Sequence, residues 1–187
     1  FELTRRAIDD VERGATDADW SPVKEAARTI ACAEDRAVFD GYAAAGMQGI
    51  REGSSHPGVV LPANVRGYPG AVAQAVSHLR LAGVNGPYAL VLGAEAYTAA
   101  SGGSDEGYPV LHHLERVVDG GIIWAPAIEG GCVLTTRSGD FALVIGQDIS
   151  IGYQSHARTV VELYFLETFT FRLLTTEAAV VLTLEEP

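Results

Sequence analysis

The sequence predicts a mixed α+β chain, helix-rich in its first half and strand-rich beyond Gly121. Two patterns carry that reading. From Val161 to Leu173 the odd positions are Val161, Leu163, Phe165, Glu167, Phe169, Phe171 and Leu173, and the even ones are mostly polar. Strand side chains alternate between faces, so this is one long strand with an apolar side. Earlier, Val23, Ala26, Ile30, Ala33, Ala37 and Gly41 recur at three- and four-residue spacing. That spacing predicts a helix over 21–45 whose contact face is small enough for close approach.

The remaining elements follow from local chemistry. Thr4 caps a short helical run, RRAIDDVERG, with Ile8 and Val11 on one side and Gly14 as its stop. Ser21 and Pro22 supply an N-cap and a first-turn proline for the long helix, and Gly46 stops it. Residues 46–70 read as loop with one short strand at 59–61. A helix follows Pro69, with Val72, Val76 and Leu79 inward and Gly83 just past its end. PYALVLG, bounded by turn residues, reads as a buried strand, and 94–100 as a short helix. Residues 101–109 read as an exposed polar loop, and 110–119 as a helix. Strands are expected at 122–124, 132–136, 141–145 and 179–184, with a tight Ser138-Gly139 turn joining the second and third of them.

Composition narrows the function. Apolar residues at 48% and charged residues at 20% describe a globular chain of 187 residues with a sizeable core. No apolar run reaches the roughly 18–20 residues of a membrane-spanning helix, and no membrane partner is expected. Phe1 is preceded by no methionine, basic start or apolar stretch, so no secretory signal is expected, and a chain cut before this point is. Acidic residues outnumber basic ones 24 to 13, net charge -11, which argues against nucleic-acid partners. Cys32 and Cys132 form no CxxC pair and read as small buried hydrophobes in a reduced setting.

Catalytic patterns are missing. There is no G-x-S-x-G elbow, no P-loop and no G-x-G-x-x-G. His112 and His113 are neighbours on a helix, about 100° apart, and cannot share a metal as an i, i+4 pair could. One of them can pair with Glu115 or Glu106. The carboxylates at Asp9, Asp10, Glu12, Glu34 and Asp35 lie beside Arg13 and Arg36 and read as a solvated face. Trp20 and Trp124 read as core or interface fillers. No catalytic residue, metal or cofactor is expected.

Several segments resemble the encapsulins, shell-forming proteins related to tailed-phage major capsid proteins. FELTRRAIDDVERG (1–14), AEDRAVFDGYAAAG (33–46), LAGVNGPYALVLG (81–93), GYPVLHHLERVVDGGIIWAPAIEG (107–130), VLTTRSGDF (133–141), GQDISIGY (146–153) and ETFTF (167–171) match in order. The resemblance implies a phage-capsid-like α+β fold. Residues 1–60 and 142–187 would form a peripheral domain containing the spine helix 21–45, and 61–141 an axial domain. Most of the family's extended loop and an interior helix would precede Phe1. The resemblance further implies a cytoplasmic icosahedral shell of identical subunits enclosing a cargo enzyme, such as a dye-decolorizing peroxidase or a ferritin-like protein. The cargo's tail peptide would dock at Asp148, Ile149 and Ile151. Ser104, Asp105, Glu106, Gly107 and Tyr108 would form a five-fold pore loop, with Asp105 and Glu106 as acidic rings. Two alternatives stay open: a phage or prophage major capsid protein, and a soluble hydrolase with an unrecognised site.

Overall fold

A computed structural model describes residues 1–185. Along the chain run β1 (Glu2–Thr4), α1 (Arg5–Glu12), α2 (Ser21–Phe39), α3 (Ile50–Gly53), β2 (Val59–Leu61), α4 (Tyr68–Leu81), β3 (Tyr88–Leu92) and α5 (Ala94–Gly102). There follow β4 (Ser104–Asp105), β5 (Tyr108–Pro109), α6 (Val110–Val117), β6 (Ile122–Trp124), β7 (Gly131–Thr135), β8 (Phe141–His156), β9 (Val160–Leu173) and β10 (Ala179–Leu184). The chain gathers into two compact units, 1–34 with 143–170, and 35–142 with the chain from 171 onward.

The larger unit is built on a five-stranded sheet in the order β2-β10-β7-β3-β6. β3 lies inside that sheet, between β7 and β6, and every one of its side chains is buried. Its alternation divides the unit's core in two. Tyr88, Leu90 and Leu92 join Val72, Val76 and Leu79 of α4 and Val110 and Leu114 of α6 on one face. Val91 joins Ala125, Ile128 and Cys132 on the other, with Phe39 and Leu134 packed against them. A strand covered on both faces must read as an unbroken apolar run, and PYALVLG does. Each fully buried leucine contributes about 1.5–3 kcal/mol. α4 ends where Gly83, at φ 78°, allows the Val84 N–H to reach the Leu79 carbonyl at 2.9 Å.

The smaller unit contains a three-stranded sheet, β1-β9-β8. β1 pairs antiparallel with β9, Leu3 opposite Val161. Thr4 caps α1 by accepting a hydrogen bond from the Ala7 N–H at 3.2 Å. Along β9 the expected alternation holds, with the odd positions from Val161 to Leu173 at least half-buried and the even ones from Tyr164 to Arg172 exposed. The Phe1 and Phe165 rings meet at 5.2 Å.

Four expectations need correction. The spine helix ends at Phe39, not Ala45. The Asp40 and Gly41 N–H groups both turn back to the Arg36 carbonyl, at 2.8 and 3.1 Å, and Gly41 sits at φ 89°. A Cβ at Gly41 would stand 2.8 Å from the Gly49 nitrogen, so the chain crosses itself there and the alanines of 43–45 form only a 3-10 turn. Ala33, expected on the contact face, is exposed. The Ser138-Gly139 turn exists, Gly139 at φ 98°, but β7 and β8 that flank it lie in different sheets. Finally, β8 runs on from Ile145 to His156, through glycines that ordinarily weaken a strand.

A partly buried ionic fork forms the corner at that turn. Arg137 Nε and Nη2 donate to Asp140 at 2.6 and 3.1 Å, and the Asp140 backbone carbonyl accepts from the Leu174 and Thr175 N–H groups. The Arg137 fork, then Thr175, holds the Asp140 carboxyl below the usual carboxylate range against the opposing effect of burial. A carboxylate whose pKa is lowered by folding contributes stability above its unfolded pKa and loses it as pH falls through the folded one. Asp140→Ala is therefore expected to lower stability by about 2 kcal/mol at neutral pH. That difference should shrink below about pH 4, where the unfolded carboxylate binds its proton. Urea unfolding of both proteins at pH 7 and pH 3 checks it; an equal gap at both would be the contrary result.

Candidate functional site

β8 and β9 form a hairpin closed by the Ala157 N–H to Val160 carbonyl bond at 2.8 Å. Gly152 has no space for a Cβ because the Tyr164 ring lies across it. Ser150 Oγ donates to the Leu166 carbonyl at 3.3 Å, and a Cβ on Gly146 would meet Thr168 Oγ1 at 3.0 Å. Gly152 and Tyr164 therefore share a side of the ribbon, as do Gly146 and Thr168. By alternation, Ile149, Ile151 and Tyr153 project from one side of β8.

β8 is the outer strand of its sheet, and most of its residues from Leu143 to His156 are exposed on both sides. Ile149 is 43% exposed, Ile151 59% and Tyr153 57%. Isoleucines on a packed strand are normally inside, so three large side chains in a row facing water make a candidate interaction surface. The structure thus brings Ile149 and Ile151 together. Asp148 does not join them: it belongs to the opposite side, and its Oδ1 accepts from the Ile149 N–H at 2.8 Å. Sequence reasoning missed Tyr153, whose i, i+2, i+4 relation to the two isoleucines was the available signal. Its hydroxyl is bonded to His156 Nδ1.

The second candidate, Ser104 to Tyr108, corrects another expectation. It is not an open loop but a tight hairpin, with Asp105 opposite Tyr108 and Ser104 opposite Pro109. Glu106 at φ 47° and Gly107 at φ 86° give both central residues the left-handed backbone of a two-residue turn. An acidic residue followed by glycine between two short polar segments was the legible signal. Tyr108 anchors the hairpin on α6: its ring meets His113 edge-on at 4.7 Å, and the Arg116 guanidinium lies 5.8 Å from its centroid. His112 Nδ1 lies 2.8 Å from Glu115, one of the two expected pairings. Asp105 lies 3.8 Å from Arg66, which offsets part of its charge, whereas Glu106 is exposed at the tip. Gly107→Val should cost about 1–2 kcal/mol, because a β-branched side chain cannot adopt that φ without strain. Thermal melts check the size, and an unchanged Tm would contradict the turn.

Cys32 and Cys132 are both free, and burial pushes the Cys132 thiol up to about 12, so it behaves as a small hydrophobe. Among the described residues no three His, Cys, Asp or Glu side chains come together to hold a metal ion, and no helix is long and apolar enough to cross a membrane. Trp124 is 58% exposed on β6 and Trp20 is 40% exposed, so neither fills the core.

A five-stranded α/β unit, a long two-faced ribbon and an uncovered apolar row define the fold of a capsid-type shell subunit. The chain superposes on a virus-like particle from Pyrococcus furiosus with TM-score 0.66 at 22% identity, covering 97% of this chain and 73% of that one. It superposes on Gordonia phage Cozz with TM-score 0.63 at 16% identity, covering 100% and 69%. Within that class, the family model described as "Encapsulating protein for peroxidase" matches residues 1–170. The chain is 58% identical over 180 residues to a type 1 encapsulin shell protein of Rhodococcus erythropolis, and 56% identical over 182 residues to one of Mycobacterium tuberculosis. It is similar along 96% and 97% of its own length, which spans 68% and 69% of theirs. This chain belongs to the encapsulin shell-protein family.

Proposed function

We propose that copies of this chain assemble into a closed, icosahedral, cytoplasmic compartment that encloses an enzyme by its tail peptide. The observation that supports it most is the exposed row Ile149, Ile151 and Tyr153 in a member of an encapsulating family. Apolar side chains held on a rigid strand suit capture of a short extended peptide. The subunit supplies scaffold and docking surface, and the chemistry belongs to the cargo, for which a dye-decolorizing peroxidase or a ferritin-like protein is the candidate. In the assembled shell, 1–60 and 142–187 would act as the peripheral domain and 61–141 as the axial one. The hairpin Ser104–Tyr108 would line a five-fold opening. Glu106, more than the Arg66-paired Asp105, would supply its cation-favouring charge.

Electron microscopy of particles expressed with the neighbouring genes tests the reading. Hollow particles with a co-purifying enzyme are expected, whereas small soluble species from the full-length gene would sink it. Particles filled with nucleic acid would favour the phage-capsid alternative, which a net charge of -11 disfavours.

A further inference from the structure

His56 lies in the loop before β2 and His78 on α4, yet their rings stand 6.1 Å apart with planes 21° from parallel. Both residues are half-buried. His56 Nε2 lies 3.0 Å from the Glu177 carbonyl oxygen. A carbonyl oxygen only accepts, so Nε2 carries the proton and, in the neutral ring, Nδ1 keeps a free lone pair. His78 Nδ1 is shut off from solvent and has no hydrogen-bond partner. Buried polar atoms are nearly always bonded, so this nitrogen is costly unless something engages it. One ring therefore offers a lone pair, and the ring beside it a nitrogen in want of a partner.

A transition metal answers both. Metal-binding histidines commonly donate their other ring N–H to a carbonyl or carboxylate, which fixes tautomer and ring orientation, and His56 makes that bond to Glu177. The spacing agrees. A metal about 2.0–2.1 Å from two imidazole nitrogens stands about 3.2 Å from each ring centroid, so the centroids can lie up to about 6.4 Å apart. The observed 6.1 Å is near that limit, where the nitrogens approach from opposite sides and nearly parallel ring planes are allowed. Both rings also have firm supports. His78 stands on α4 beside the buried Ala75, Val76 and Leu79. The loop of His56 is tied down by Ser54 Oγ to the Ala179 carbonyl at 2.7 Å and by the Ser55 N–H to the Thr176 carbonyl at 3.0 Å. Ligands held in this way lose little freedom when they bind.

We propose that His56 and His78 form a two-imidazole site for a divalent transition metal, zinc, nickel or copper, which fastens the loop 54–58 to α4. Imidazole nitrogens select these metals over magnesium and calcium, which take oxygen ligands. Among the described residues no third His, Cys, Asp or Glu side chain completes a closed site, so water fills the remaining positions and the metal exchanges readily. Affinity follows the ligand chemistry, with copper above nickel and zinc. The loop leads into β2, an edge strand of the five-stranded sheet, so bound metal stabilises that edge. The site depends neither on cargo nor on assembly.

Calorimetric titration of the chelator-stripped protein with zinc chloride tests it, together with thermal melts. One equivalent of zinc per chain is expected. At about ten times its dissociation constant, zinc should raise Tm by about 3–5 °C, and magnesium should leave it unchanged. His56→Ala and His78→Gln should each weaken zinc binding at least about tenfold. His56→Ala sits in a loop and keeps the fold, so the test does not hang on the His78 variant. The double variant His112→Ala, His113→Ala should bind zinc as the wild type does. No binding at millimolar zinc, or wild-type affinity in His56→Ala, would overturn the site. Binding lost only with His112 and His113 would place the metal elsewhere and overturn it equally.

Discussion

Shells built from Ile149→Asp subunits are expected to assemble and to come out empty. Ile149 is 43% exposed on the outer strand of its sheet, so a polar side chain there removes little core packing. Exposed substitutions of this kind change stability by about 0.5 kcal/mol, rising toward 1 for the poor strand preference of aspartate. In the docked state the same aspartate would lie beneath an apolar tail without a partner. Burying an unpaired charge costs several kcal/mol, enough to reduce occupancy by at least tenfold. Native mass spectrometry of particles co-expressed with cargo reads shell and contents together. Full loading in the mutant would refute the docking role; loss of particles would show that Ile149 lies in a contact between subunits instead.

Leu90→Ala is expected to lower stability by about 3–4 kcal/mol. Leu90 is the middle residue of β3, fully buried, paired with Val133 on one side and Ile122 on the other, and packed beneath α4 and α6. Neighbours locked on both edges and one face cannot collapse into the space left behind, which places the loss in the upper part of the range for such truncations. Leu166→Ala is the control: at 41% exposure it should cost under about 1 kcal/mol. Urea midpoints of the two variants decide it. Equal shifts would mean that β3 is not the centre of that core.

Elements whose apolar pattern is both dense and bounded were legible in the chain alone. β3, α4, β6, β9 and β10 lie where alternation, helical spacing and flanking glycines put them. The spine helix was overextended because alanine is indifferent between a helix and a 3-10 turn in a compact loop. What ends it is Gly41 meeting Gly49, a contact between residues eight apart that no local pattern records. The hairpin at 104–109 was hidden because its strands are only two residues each. For the candidate docking residues, the GQDISIGY match grouped Asp148 with the isoleucines, since adjacency in sequence says nothing about sides until the strand is drawn.

The sequence by itself determined the class of fold and the family, because both are carried by local signals: strand alternation, caps, turn glycines and ordered motifs. It also determined that the odd side of β9 is apolar with a single carboxylate in it. Only the tertiary structure decided which strands share a sheet, that β8 is an outer strand, and that Ile149, Ile151 and Tyr153 stand exposed. Apolar side chains look the same in a sequence whether they are core or contact. The difference is whether another layer covers them, and that depends on pairings between residues far apart in the chain.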